Sequence, residues 1–381
     1  MCVNMTFDSI DKLQNILAKD VFNYTKDPKK ASGRALGTIV EIISFYLLES
    51  WGFSKHVEIE KGLIEYGNPS ISHNVEYTLH PIKNSYSVAL TQPFLPITAS
   101  KILRLLPQLN NRQYKIKNNC LLTSRKVLRN SCLIGLVDDA SLLATIEKMN
   151  STMVDISVTE QYSKPFAMVE CKRVGVEEGM KKGPQTIEKA KQGAYVAKTV
   201  SSLQKIRNDD GTLYGVIPKG KNTFYTRPYD DLIKEVISSN DPALYKDFIL
   251  TIGVASNHGN WFTSDDPNKE LLVLAESYDW LIFLTDKGIC EFICELLIDP
   301  KKEYELTRKI FLSSYQNRTT KNQFTKVQMQ YDAHVLLLDY FKKNKQRIEK
   351  WFSVITPKNF SLSDLQEQLK LLAEKRWDRA L

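Results

Sequence analysis

The sequence predicts an α/β fold in which a central mixed sheet is flanked by helices. Apolar patterns along the chain run in the order helix, strands, helix, strands and then helices. Short apolar runs that alternate with longer segments of helical spacing are typical of α/β proteins. With 381 residues, of which 43% are hydrophobic and 25% charged, the chain has the composition of a globular protein with one main core.

Seven segments have apolar residues at helical spacing or other helical features. They are residues 7–18, 33–51, 102–109, 124–128, 140–149, 185–207 and 289–297, and most of the chain after residue 300 is predicted to be helical too. The helix at 33–51 has Glu41 beside its apolar stripe and ends at Gly52. The helix at 185–207 begins just after Pro184 and has one face of small residues, which favours close packing on a sheet.

Six segments are predicted as strands. They are residues 56–65, 75–79, 153–158, 166–172, 248–255 and 280–284. In the strand at 153–158, apolar and polar residues alternate, so Asp155 faces away from the apolar side. The strand at 166–172 is apolar up to Glu170, which is typical of a buried strand. We expect these last two segments to form a hairpin.

Positive charge is concentrated in two blocks. The net charge is +8, and no acidic residue occurs from Tyr77 to Val137, where there are nine basic residues. Residues 301–381 contain 17 basic and 9 acidic residues. A polyanion such as nucleic acid is the natural partner of such blocks, and a solvated surface is the alternative. We therefore expect a core domain at 1–300 with a basic insertion at about 77–150, and a helical C-terminal region at 301–381 as a candidate for DNA binding or dimerisation.

Two cellular classes are disfavoured by the sequence. No apolar run approaches the roughly 18 residues of a membrane span, and residues 1–20 carry acids where a signal peptide would be apolar. Six scattered cysteines form no disulfide-like spacing. We expect a cytoplasmic protein without a membrane partner.

Three residues form a candidate catalytic group. Glu170 and Lys172 are two apart in a strand and therefore share a face. In the expected hairpin, Asp155 would bring a second carboxylate to them at the edge of the sheet. Carboxylates suit Mg²⁺, which stabilises charge on a phosphate and lowers the pKa of a bound water, while the lysine serves the attacking water. The alternatives are an exposed Glu170–Lys172 ion pair, and Asp138 or Asp139 in place of Asp155.

These residues resemble the PD-(D/E)XK nuclease superfamily. Val154-Asp155-Ile156, followed by Val169-Glu170-Cys171-Lys172-Arg173, matches its pattern of an Asp strand and then a Glu-x-Lys strand, although Val154 replaces the usual Pro. The resemblance covers roughly residues 33–284 and implies a restriction-endonuclease-like core. It implies that Asp155, Glu170 and the carbonyl of Cys171 bind Mg²⁺ and that Lys172 acts on the water. Glu41 and, on the helix after the motif, Gln192 would be further active-site residues, with Glu41 otherwise an ordinary helix residue.

A nuclease of this size without an accompanying motor motif resembles a type II restriction endonuclease. One site cuts one strand, so a homodimer acting on double-stranded DNA is expected. Side chains suited to bases or phosphates lie in four polar clusters, each of which is otherwise a surface loop. They are Arg125, Lys126, Arg129 and Asn130; Lys181 and Lys182; Asn317, Arg318 and Lys321; and residues 257–261. The alternatives are a structure-specific repair or recombination nuclease and a non-catalytic nucleic-acid-binding protein.

Overall fold

A computed structural model of the chain describes residues 10–63, 73–109, 112–138, 140–174, 184–257, 269–316 and 322–381, with the backbone alone for 184–191. Its α-helices are α1 (Ile10–Ile16), α2 (Pro28–Ser50), α3 (Ala99–Leu103), α4 (Pro184–Val200), α5 (Tyr229–Ser238), α6 (Pro242–Tyr245), α7 (Lys269–Ser277), α8 (Asp286–Ile293), α9 (Glu305–Gln316), α10 (Tyr331–Lys343), α11 (Lys345–Glu349) and α12 (Leu362–Ala373). Its strands are β1 (Val57–Gly62), β2 (Asn74–Leu79), β3 (Ile82–Thr91), β4 (Ile97–Thr98), β5 (Tyr114–Ile116), β6 (Cys120–Leu122), β7 (Val127–Arg129), β8 (Cys132–Val137), β9 (Ala140–Met149), β10 (Met153–Tyr162), β11 (Ala167–Val174), β12 (Gln204–Arg207), β13 (Leu213–Gly220), β14 (Thr223–Pro228), β15 (Leu250–Asn257), β16 (Trp280–Leu284), β17 (Gln328–Gln330) and β18 (Phe352–Thr356).

The main sheet has six strands in the order β1-β2-β11-β15-β16-β18. β11 lies antiparallel to β2 on one side and parallel to β15 on the other, and the sheet is therefore mixed. All eight residues of β15 and all five of β16 are buried, as expected of strands covered by helices on both faces. The predicted α/β fold with a mixed sheet flanked by helices is confirmed.

The two faces of the main sheet pack against different helices. Val169 and Cys171 of β11 belong to the apolar core that contains the buried face of α2. Met168 and Val174, which alternate with them, pack in a second core with small residues of α4. The period of two in a strand thus assigns Glu170 and Lys172 to the α4 side of the sheet.

A second sheet is inserted between β2 and β11. Its strand order is β3-β10-β9-β8-β5, and it encloses an apolar core of its own. Because β3 begins at Ile82 and β10 ends at Tyr162, this unit continues past residue 150 and includes the strand that carries Asp155. The strand order of the main sheet is therefore interrupted by a complete folded unit.

The expected hairpin of the Asp155 and Glu170 strands is wrong. Asp155 pairs with Ala89 of β3 and Lys148 of β9, both in the inserted sheet, whereas β11 pairs with β2 and β15. A short connection along the chain joins strands of two different sheets here. Sequence proximity suggested a hairpin because strands that follow each other commonly pair.

The predictions of two helices within the insertion are also wrong. Residues 140–149 form β9, where Ala, Leu, Glu, Lys and Met favour a helix but pairing with β8 and β10 on both sides prevails. Residues 124–128 contain a tight turn, in which the hydroxyl oxygen of Thr123 accepts from the backbone N–H of Val127 at 3.0 Å, followed by β7. Non-local pairing overrides local preference in both segments.

The C-terminal segment contributes one strand to the main sheet and one to a four-stranded sheet of the insertion, β17-β7-β6-β4. β18 pairs antiparallel with β16 at the end of the main sheet, and the short β17 pairs with β7 of the insertion. Apolar residues of α10 and α12 belong to the main core. Residues 301–381 are thus built into the fold and connect the main sheet with the insertion.

One described helix, α2, is long and apolar enough by composition to cross a membrane. In its most apolar window, 67% of the residues are buried inside the fold. The same composition serves the core of a globular protein, because α2 packs on β11 and covers one face of the main sheet.

Candidate functional site

Glu170 and Lys172 lie at the centre of the main sheet and not at its edge. Nζ of Lys172 is 2.6 Å from Oε1 of Glu170, and the side chain of Glu170 has no exposed surface. The side chain of Lys172 keeps 20% of its surface exposed. The alternative of an exposed ion pair at an edge strand is therefore excluded. A charge buried this deeply requires partners that compensate its desolvation.

Three donors meet the carboxylate of Glu170. Besides Lys172, Nε2 of His73 lies 2.8 Å from Oε1, and the backbone N–H of Glu76 donates to Oε2 at 3.1 Å. The ladder between β2 and β11 pairs Val169 with Tyr77. At the next position the pairing stops, and the backbone N–H of Glu76 in β2 donates to the side-chain carboxylate of Glu170 instead of to a backbone carbonyl of β11. The site therefore opens where these two strands separate.

Glu76, and not Asp155, is the acidic residue on the strand that pairs with the Glu170 strand. The two strands are antiparallel, and the backbone of Glu76 touches Glu170 directly. Asp155 lies seven residues from Tyr162, whose N–H donates to Pro81. At about 3.3 Å per residue, Asp155 lies roughly 23 Å along β10 from that point. Asp138, one of the alternatives to Asp155, sits in the insertion and pairs with Arg112, and Asp139 lies outside the described residues.

Glu41 of α2 joins the same site through a buried lysine. Nζ of Lys326 lies 3.4 Å from Glu41 and 3.3 Å from Glu60, and it also contacts the carboxylate of Glu76. Burial raises the pKa of Glu41, and the charge of Lys326 opposes that rise. The hydroxyl of Tyr77 donates to the backbone carbonyl of Glu41 at 2.6 Å and fixes α2 against β2. Glu41 is thus more than an ordinary helix-surface residue.

Helix α4 approaches Glu170 unusually closely through Gly193. A Cβ atom at this position would lie 2.5 Å from Cγ of Glu170 and 2.8 Å from Oη of Tyr278, both closer than van der Waals contact allows. Tyr278 is buried, and burial followed by the charge of Glu170 raises its pKa well above the usual range. Gln192 precedes Gly193 with its side chain exposed.

The side chain of Cys171 lies on the opposite face of β11 from that of Glu170. Its side chain is buried on the α2 side of β11, where burial raises the pKa of the thiol and the hydroxyl of Ser44 opposes the rise. Only the backbone carbonyl of Cys171 is thus left as the metal ligand that the resemblance implies.

The donor chemistry of the site fits Mg²⁺. Mg²⁺ in phosphate-cleaving sites takes one or two protein carboxylates and keeps several waters. Glu76 and Glu170 supply two such groups from adjacent strands, and Glu41 a third from α2. Among the described residues no group of three or more His, Cys, Asp or Glu side chains is already arranged around one point. The ammonium groups of Lys172 and Lys326 stand between these carboxylates instead.

The predicted DNA-contacting residues have different environments. Arg125 and Lys126 are exposed in the turn between β6 and β7, and Arg129 is half-buried. Asn130 is buried, and its Nδ2 donates to the carbonyl of Lys326 at 2.8 Å. The expectation that Asn130 reads a base is wrong, because that amide is already bound inside the protein. Asn257 is likewise buried, and its Nδ2 donates to Asp286 at 2.9 Å.

The remaining predicted DNA contacts lie outside the described residues. They are Lys181, Lys182, Asn317, Arg318 and Lys321, together with residues 258–261. Two cations of the acid-free block are paired inside the protein. Both terminal nitrogens of Arg112 donate to Glu160 at 2.8 Å, and Lys83 lies 3.5 Å from the same carboxylate. Burial opposes ionisation of Glu160, but these and further hydrogen bonds lower its pKa to about 2.

Sequence reasoning missed Glu76, His73 and Lys326. Glu76 had a signal: it is a lone acid in a segment already predicted as a strand, and it is the last acid before the acid-free block. Lys326 had none, because its contacts to Glu41, Glu60 and Glu76 join residues more than 240 positions apart in the chain. Comparisons with protein-family models, curated proteins and solved structures found no match to this chain.

Proposed function

We propose that this chain is a Mg²⁺-dependent endonuclease that hydrolyses phosphodiester bonds of double-stranded DNA at a specific short sequence. The observation that carries the proposal is that Glu170 meets Lys172 and the backbone of Glu76 where β2 and β11 separate, while Lys326 joins the carboxylates of Glu76 and Glu41 beside them. Buried carboxylates next to a lysine suit phosphodiester hydrolysis with a hard cation. The mixed sheet with this group on two adjacent central strands supports the resemblance to the PD-(D/E)XK nucleases.

Each residue has a distinct task in the proposed reaction. Glu76 and Glu170 would hold the ion, assisted by the carbonyl of Cys171, and Glu41 would bind one of its waters. When bound, Mg²⁺ supplies charge stabilisation at the phosphate and a more acidic water. The ammonium of Lys172 would orient the attacking water and offset negative charge on the phosphate. His73 and the backbone of Glu76 keep the carboxylate of Glu170 in a fixed orientation.

The test is cleavage of long natural DNA by the purified protein with Mg²⁺ and with EDTA. We expect discrete fragments with Mg²⁺, none with EDTA, and none with the Lys172→Ala variant. A smear would contradict sequence-specific cutting and indicate a non-specific nuclease. Absence of cutting in all DNAs would favour a nucleic-acid-binding protein without catalysis. Wild-type rates in Lys172→Ala would show that the proposed site does not cut.

The exposed turn between β6 and β7 is the described part of the insertion best suited to phosphate contacts. Arg125 and Lys126 are exposed there, and the backbone of Lys126 is fixed because its carbonyl accepts from the N–H of Tyr331 at 2.8 Å. We expect Arg125→Glu and Lys126→Glu each to weaken DNA binding and to lower the dependence of log K on log salt by about 0.9 per lost phosphate contact.

The control for this turn is the charge reversal Lys287→Glu. The side chain of Lys287 is 85% exposed, and the residue lies outside both basic blocks. Binding is measured by fluorescence anisotropy at several salt concentrations in the absence of Mg²⁺. If the turn variants and Lys287→Glu changed the salt dependence equally, the turn would have no specific role in DNA contact.

A further inference from the structure

Lys326 holds a buried positive charge in the middle of the carboxylate cluster. Its side chain is 7% exposed, and its ammonium contacts Glu41, Glu60 and Glu76. These three glutamates come from α2, β1 and β2, so one cation joins three elements of the main sheet region. Burying an ammonium is costly unless charged partners compensate it, and here three carboxylates do so.

The backbone around Lys326 is fixed by the insertion. Nδ2 of Asn130 donates to the carbonyl of Lys326 at 2.8 Å, and the backbone N–H of Asn130 donates to the carbonyl of Val327 at 2.9 Å. Just beyond, β17 pairs with β7 in register. The backbone from which Lys326 projects is therefore held by hydrogen bonds to the insertion, and its ammonium is held by the three carboxylates.

Formal charges at the site favour one divalent ion. Apart from His73, whose imidazole is charged only when protonated, Glu41, Glu60, Glu76 and Glu170 contribute four negative charges, and Lys172 and Lys326 contribute two positive ones. The remaining two negative charges match a single divalent cation. A second divalent ion would give the site an excess of positive charge and would have to displace the ammonium of Lys326 from three carboxylates.

We infer that Lys326 is a resident cation in the place where a second metal ion would otherwise bind. The site then takes one divalent ion, at Glu76 and Glu170, while the ammonium of Lys326 offsets the charges of Glu41 and Glu60 and shares the carboxylate of Glu76 with the ion. A fixed positive charge of this kind needs no reorganisation when a DNA phosphate approaches. The inference rests on the proposed function, because it assumes that Glu76 and Glu170 bind a metal.

The experiment is a count of bound Mn²⁺ per chain by electron paramagnetic resonance and equilibrium dialysis, without DNA. We expect one ion in the wild-type protein and two in Lys326→Met, since removal of the ammonium leaves Glu41, Glu60 and Glu76 without their cation. Lys61→Met is the matched control: Lys61 also pairs with a glutamate of β1, Glu58, at 3.1 Å but lies outside the cluster. It should bind one ion.

The outcomes separate the two proposals. Two ions in the wild-type protein, or one ion in folded Lys326→Met, would overturn the role of Lys326 and leave the nuclease proposal standing. No ion in the wild-type protein, or an unchanged count in Glu170→Gln, would contradict the metal site itself. If Lys326→Met does not fold, Lys326→Gln, which replaces the charge with a polar side chain, is counted instead and should also bind two ions.

Discussion

Replacement of Glu76 by Gln is expected to lower the rate of DNA cleavage at least about 100-fold, because it removes a carboxylate of the proposed metal site. The side chain of Glu76 is 13% exposed and its carboxylate contacts the ammonium of Lys326, while its backbone N–H donates to Glu170. An amide preserves the shape and the backbone hydrogen bond, so the loss would report on charge and metal binding. Rates are measured on a DNA with a single site, at saturating Mg²⁺.

Asp155→Asn is the control that separates the two assignments of the acid. Asp155 lies in the inserted sheet, and a substitution remote from the site should keep the rate within about a factor of two. Circular dichroism and thermal unfolding verify that both variants fold. If Asp155→Asn lost activity and Glu76→Gln kept it, the acidic residue of the active site would be Asp155 and not Glu76.

The sequence was sufficient for the strand that carries Glu170 and Lys172. An apolar run that ends in Glu-Cys-Lys indicates a buried strand, and its alternation of two places both charged side chains on one face, as the structure has them. Helix α2 was equally clear, because apolar residues at helical spacing extend through most of it. Both features are local, and local patterns are what a single sequence contains.

The partner strand was not predictable from local patterns. β2 and β11 are adjacent in the sheet, but the whole unit from Ile82 to Tyr162 lies between them in the chain. Proximity along the chain therefore favours β10, which carries Asp155, as the partner strand of β11. For Lys326 the difficulty is greater still. Its segment is held against the insertion by Asn130 and by the pairing of β17 with β7, and the three residues of β17 give no periodic signal.

Gly193→Ala is expected to destabilise the protein by about 1–3 kcal/mol and to impair cleavage, because the added methyl overlaps the side chain of Glu170. The methyl carbon would lie 2.5 Å from Cγ and 2.9 Å from Cδ of Glu170. Tyr278, which the new methyl would also contact, cannot easily move, because its ring packs directly against Gly253. A Cβ atom at Gly253 would lie only 2.8 Å from that ring. Either α4 moves outward or the carboxylate leaves His73 and Lys172. The free energy of unfolding is measured in urea, and cleavage at a temperature where the variant is folded.

Gly37→Ala is the matched control, because it introduces the same methyl group in the middle of helix α2. A Cβ at Gly37 would meet nothing within 4 Å, so the intrinsic helix preference should raise stability by up to about 1 kcal/mol. That preference also acts at Gly193, and only steric overlap can reverse its sign there. Stabilisation by both substitutions would therefore contradict the close contact between α4 and Glu170. Destabilisation by Gly193→Ala alone, with weaker Mn²⁺ binding, would show that the close packing of α4 determines the orientation of the carboxylate.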